Sequence, residues 1–138
     1  MSVELYPQYQ LFKFTLLLNY SKENFIRPKI ESRAVESTII NRAYYSAFSL
    51  AKLWLEEHEF KVKDKMTYII LNEDYISEHR QVSNALKDFG LKKSGQYLYD
   101  LHELRKKADY QPYNPITNDD VMKAINYMNK IIKDLKFN

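Results

Sequence analysis

The chain has no cysteine, only two glycines, four prolines and one tryptophan, and three histidines in 138 residues. Without cysteine there are no disulfides, zinc–thiolate centres, iron–sulfur clusters or thiol nucleophile, and a reducing interior, the cytosol, is the expected compartment. Two glycines are too few for the Gly-rich phosphate loops of either common type, and they argue against β architectures that turn repeatedly at glycine. No uncharged apolar run approaches the roughly 18 residues of a membrane span. The longest lies around Phe14 to Tyr20, and no basic segment precedes a long apolar run at the N-terminus. Neither a span nor an export signal is expected.

What is present is 45% hydrophobic and 28% charged, with a formal net charge of +3. The length fits a single domain, residues 1–138, large enough to hold a core without a staple. The charge permits contact with a polyanion without demanding it. The most unusual count is twelve tyrosines.

Apolar periodicity of 3.6 dominates. Leu5, Tyr9, Phe12, Leu16 and Tyr20 define a first helix over about residues 6–22. Pro28 breaks it, and a long helix follows from about Glu31 to His58, whose apolar positions cover half the circumference. Arg42, Ser46 and Ser49 are expected to form its polar strip. Residues 59–74 read as a loop or a short helix. A helix from Ile76 to Phe89 ends at Gly90, where a left-handed terminus favours a residue without Cβ. Ser94 is the expected cap of a helix running to Tyr110, which Pro112 and Pro115 end. Asn118, with Asp119 and Asp120 behind it, opens the last helix. The expected fold is all-α, an up-and-down antiparallel bundle of four to five helices.

Most polar residues read as solvated surface, but His102, Arg105 and Asp109 share one edge of a helix by their spacings of three and four. A guanidinium beside the apolar stripe of Leu98 and Ala108 needs a carboxylate partner, a crevice, or an interface that receives an anion. The structural alternative is an Arg105–Asp109 pair that only fixes helix register. The functional one makes Arg105 a phosphate ligand, with His102 or Tyr110 moving the proton as an RNA 2′-hydroxyl attacks its own phosphate. No His or carboxylate pair has a metal-ligand pattern, so neither a metal nor another cofactor is expected, and His58 and His79 have no comparable setting. In the long helix, Asn41-Arg42-Ala43-Tyr44-Tyr45-Ser46-Ala47-Phe48 puts Tyr44 and Phe48 on the apolar side and Arg42 and Tyr45 away from its centre. The plain reading is core plus an arginine seeking an acid. The sharper one joins Arg42 to Arg105 as a two-arginine cradle for phosphate, with tyrosines as stacking faces for bases.

That segment, Glu-His-Arg-Gln-Val at 78–82 before Phe89-Gly90, and Leu104-Arg105-Lys106-Lys107-Ala108-Asp109-Tyr110 resemble, in order and spacing, a small stand-alone prokaryotic branch of the HEPN superfamily (higher eukaryotes and prokaryotes nucleotide-binding). The likeness covers about residues 33–136, with Tyr44, Phe48, Ala108 and Asp109 as motif positions. It implies a helical bundle, frequently a homodimer, often paired with a minimal nucleotidyltransferase within a toxin–antitoxin or antiviral defence system. Catalytic HEPN members are metal-independent ribonucleases with an arginine and, five to seven positions later, a histidine, in a site shared between two copies. Here Arg105 fits the arginine, Lys106 follows, and Tyr110 stands where the histidine belongs. A phenol with an ordinary pKa of about 10 is a poor general base at neutral pH.

Three readings follow. The first is a HEPN module that binds RNA, nucleotide or a protein partner through Arg42, Tyr45, Arg105 and Lys106. The second is a ribonuclease toxin using Arg105 with Tyr110 or His102 in a dimeric cleft. The third is a structural adaptor whose arginines only tie helices together. Of the tyrosines, Tyr9, Tyr20, Tyr44 and Tyr97 fall on expected core faces, leaving Tyr45, Tyr110 and Tyr113 for function.

Overall fold

The computed structural model describes residues 6–22, 29–111 and 113–137, with side chains from residue 33 onward in the second stretch. Leu5, Pro28 and Pro112, read above as part of the first stripe and as helix breakers, lie outside the described residues. The described chain forms six helices: α1 (Pro7–Ser21), α2 (Lys29–Glu57), α3 (Lys65–Leu71), α4 (Glu78–Asp88), α5 (Lys92–Tyr110) and α6 (Asn118–Asp134). The expected all-α bundle is present, and the ambiguous stretch 59–74 supplies its shortest helix.

The broad apolar face of α2 makes it the centre. Ile39, Ile40, Ala43, Ala47, Leu50, Ala51 and Leu55 are buried, and α2 packs against α1, α4, α5 and α6. Leu98 and Leu101 of α5 and Val121, Ala124, Met128 and Ile131 of α6 close the core against it. The contacts also give direction. Asn41 meets Asp109 and Tyr45 meets Arg105, while Tyr97 meets Tyr127 and Ser94 meets Asp134. Numbers rise along one helix as they fall along its neighbour, so α5 runs antiparallel to both α2 and α6.

The same holds for α4 against α5, and glycine is the reason they approach closely. A Cβ on Gly95 would lie 2.7 Å from the Ser83 carbonyl oxygen and 2.6 Å from Lys87 Cγ. The Ser83 hydroxyl donates to the Gly95 carbonyl at 2.6 Å. A glycine inside a helix costs about 1 kcal/mol relative to alanine, which close packing offsets here. The other glycine, Gly90, has φ +89° just beyond α4, the left-handed terminus expected of it.

Three local expectations are corrected. Ser94 does not cap α5: that helix begins at Lys92, and the buried Ser94 hydroxyl donates to Asp134 of α6 at 2.7 Å. Asn118 opens α6 as expected, and Thr117 before it is the cap, in a reciprocal capping box with Asp120. Ser46 is fully buried rather than in a polar strip, its hydroxyl shared between the Ala43 carbonyl and the Met128 sulfur. Tyr20 is 83% exposed rather than on a core face.

Candidate functional site

Arg105 projects from the second half of α5 toward α2. Its Nε donates to Asp109 Oδ2 at 3.1 Å, one turn along the same helix, and an Nη2 hydrogen goes to the Tyr45 hydroxyl at 2.9 Å. The same Asp109 oxygen accepts from Asn41 Nδ2 at 3.0 Å, so one carboxylate oxygen holds both helices. A guanidinium has five N–H donors, and only two have partners among the described residues. The group is fixed in orientation but not saturated. It also lies against three rings, with Cζ 5.0 Å from the centroid of Tyr45, 5.5 Å from Tyr44 and 5.7 Å from Tyr110, within the range where a cation is attracted to an aromatic face. Burial draws the Arg105 pKa down, but Tyr45, Tyr110 and Asp109 beside it more than offset this and the net direction is up.

The end of α5 that carries Tyr110 is held by a residue with no distinguishing mark in the sequence. Arg33 on α2 donates to the carbonyls of Ala108 (3.3 Å), Gln111 (2.8 Å) and Asn114 (3.0 Å) and to the Ser37 hydroxyl at 3.2 Å. A cation among the last carbonyls of a helix satisfies groups with no intrahelical partner and faces the negative end of the dipole. Tyr110 is thereby placed beside Arg105 while staying 67% exposed.

Behind the arginine sits a second group. Tyr44 is buried, stacks on Phe48 at 5.7 Å and touches the His102 ring at 5.2 Å. His102 of α5 and His79 of α4 lie face to face, centroids 3.5 Å apart and planes 18° from parallel. Two imidazolium ions do not stack this closely, and both rings are held neutral. Burial, then repulsion from His102 and Lys106, lowers the His79 pKa to about 4. Burial, then Lys106 and Arg105, lowers that of His102. Burial chiefly raises the Tyr44 pKa, Arg105 partly countering it, so the phenol keeps its proton. Its oxygen is 3.4 Å from His79 Nδ1, where it donates when the ring proton resides on Nε2.

The sequence candidates therefore separate. Arg105, Asp109, Tyr45, Tyr44, Tyr110 and His102 are brought together, with Phe48 packed behind Tyr44 and Ala108 buried in the turn below. Lys106 turns to Glu103 in an exposed ion pair of 2.8 Å and stands on the histidine side. Arg42 is exposed, has no ion pair among the described residues and leaves α2 roughly 60° around from Tyr45, whose hydroxyl meets Arg105. Tyr113 is 98% exposed. Asn41, Arg33 and His79 were missed. Asn41 and His79 each stood inside a recognised motif, but nothing local indicated that α4 would carry His79 onto His102. His58 stacks on Trp54 with its Nδ1 at the Trp54 carbonyl and meets the Phe89 ring edge-on at 6.0 Å, away from the arginine site. Among the described residues no group of three or more His, Cys, Asp or Glu is arranged to hold a metal ion, and no helix is long and apolar enough to cross a membrane.

The family model for the HEPN domain matches residues 26–137, and the chain belongs to that family. No curated protein and no solved structure matches the chain. Membership is compatible with nucleotide binding or ribonuclease activity.

Proposed function

We propose that the chain is an RNA- or nucleotide-binding HEPN module, with Arg105 as its phosphate ligand and Tyr45 and Tyr110 as the rings beside the bound nucleotide, working in a prokaryotic toxin–antitoxin or antiviral defence system as a homodimer or with a partner such as a nucleotidyltransferase. The observation that carries the reading is that Arg105 is oriented by Asp109 and Tyr45 yet keeps three N–H donors unclaimed among the described residues. Those donors are free to receive the oxygens of a bound anion. Planar donors suit phosphate oxygens, and exposed phenol faces suit bases of any sequence. Fluorescence anisotropy with a labelled single-stranded RNA tests it. Wild type binds, and Arg105→Ala, with fold verified by circular dichroism, binds at least tenfold more weakly; equal binding by the two proteins overturns the reading.

The stacked histidines favour a second reading, a metal-independent ribonuclease. A neutral imidazole such as His102, or Tyr110, takes the proton from a ribose 2′-hydroxyl as that oxygen attacks the adjacent phosphorus. The P–O5′ bond breaks, leaving a 2′,3′-cyclic phosphate, and the 5′-oxygen takes back the proton that the base received, becoming a hydroxyl. Incubating RNA with wild type, Arg105→Ala and Tyr110→Phe in a chelator separates it from binding alone: identical RNA profiles for all three and for buffer sink it.

A further inference from the structure

At the far end of α5 the surface has a different character. A cavity of about 310 Å³ is lined by Lys93, Tyr97, Lys130, Lys133 and Lys136 together with Ser94 and Asp134. A second, of about 580 Å³, shares Lys133 and Lys136 and adds Lys13 of α1. The two make one groove around the C-terminal end of α6. It gathers five lysines against the single carboxylate of Asp134, which already accepts the Ser94 hydroxyl. That is a charge of +4 in a chain whose total is +3, so everything outside the groove sums to −1. None of the five lysines has an ion-pair partner among the described residues.

Helix electrostatics explain part of this and leave the rest. Lys130 and Lys133 face the negative end of α6, where cations are favourable. Lys93 stands in the first turn of α5, the positive end, where the helix carries no acidic residue. Its placement costs helix stability rather than adding to it. The half-buried Tyr97 is the aromatic side chain in the wall of the first cavity, with Lys130 Nζ 5.1 Å from its centroid and Tyr127 stacked behind it at 5.3 Å.

We propose that this groove binds the phosphodiester backbone of single-stranded RNA. Concentrated lysines without ion-pair partners among the described residues, with Tyr97 among them, match a ligand that is a chain of phosphates. A membrane surface fits less well, because none of the exposed large hydrophobics among the described residues lines the groove to insert between lipids. The proposal rests on the RNA-binding reading but uses a separate site. Lys93 and Arg105 are twelve residues apart on α5, roughly 18 Å along its axis and 120° around it, so a mononucleotide at one does not reach the other.

Two ligands keep the sites distinguishable. A labelled uridine 20-mer and uridine 5′-monophosphate are titrated against wild type, the triple variant Lys93→Gln/Lys130→Gln/Lys133→Gln and Arg105→Ala, at several salt concentrations. The triple variant is expected to bind the 20-mer at least tenfold more weakly, with the slope of log affinity against log salt reduced by about 2, and to bind the mononucleotide unchanged. Because all three lysines are exposed, the variant is expected to keep its fold, and a thermal melt checks this. Unchanged 20-mer affinity and slope in the triple variant overturn the groove. Loss of 20-mer binding there, with Arg105→Ala indistinguishable from wild type on both ligands, upholds the groove and overturns the Arg105 reading instead. Tighter binding of wild type to phosphatidylserine vesicles or to polyglutamate than to the 20-mer overturns the assignment to RNA.

Discussion

The two ends of α5 present positive charge in opposite ways. At one end a single arginine is held by a carboxylate, a phenol and three rings, and its charge is balanced by Asp109. At the other, five lysines stand with one carboxylate among them. The first arrangement suits recognition of one phosphate in one orientation, since a fixed planar fork loses little freedom on binding. The second suits length and charge without sequence, and is screened by salt. One helix thus separates orientation from accumulation of charge.

The comparison breaks most sharply at Arg105. Replacing it with alanine removes charge-assisted hydrogen bonds worth about 2–3 kcal/mol, a loss of roughly 30- to 150-fold in mononucleotide affinity by titration calorimetry. Arg105→Lys recovers little of this, because an ammonium cannot span two oxygens in one plane. A comparable loss from Arg42→Ala would establish the two-arginine cradle, and an unchanged affinity would dismiss it.

Gly95→Ala comes next. The new methyl meets the Ser83 carbonyl and Lys87, and α4 moves off α5 at a cost of about 1–3 kcal/mol in urea unfolding. The histidine pair loosens with it, whereas the groove, built on α1, α5 and α6, keeps its salt-dependent RNA binding.

The acid stability of the α4–α5 contact is a finer probe. His79 has a folded pKa near 4 against an ordinary 6.5, so the unfolded chain binds more protons in between. Stability is full above pH 6.5 and falls as pH drops toward 4. A shift of this size corresponds to about 3 kcal/mol for an enclosed group, and solvent screening at a half-buried ring reduces it to about 1–2 kcal/mol. His79→Phe, which keeps a flat ring against His102, is expected to flatten the melting-temperature profile between those values; an unaltered profile contradicts the pairing. The smallest effect is that of Tyr45→Phe, which keeps the ring but loses the hydrogen bond to Arg105. About 1 kcal/mol, a fivefold weaker mononucleotide, is expected.

The helices were legible because their signals are local. The stripe Val121, Ile125, Met128, Ile132 and Leu135 needs no knowledge of its neighbours, and Gly90 marks a terminus by its own conformation. Ser94 and Ser46 misled because a short hydroxyl reads as a cap or as surface, while its role is set by what packs on it, Asp134 in one case and Met128 in the other. The Arg105–Asp109 pair could be read from its spacing within one helix. The bond from Asn41 to Asp109, the clamp made by Arg33 and the stack of His79 on His102 cross between helices 23 to 81 residues apart, and periodicity says nothing about such register. The lysine groove was hidden for a similar reason. Lys93 and Lys130 look like ordinary surface charges until antiparallel packing sets them side by side.

The most direct examination of the central claim, that Arg105 is the phosphate ligand, is to follow its side-chain N–H resonances by NMR while uridine 5′-monophosphate is added at physiological salt. Saturable shifts of the Arg105 Nε and Nη signals, with the ammonium signals of Lys93, Lys130 and Lys133 stationary, are the predicted result. Arg105 signals that stay fixed while the nucleotide binds elsewhere, or does not bind, would contradict it.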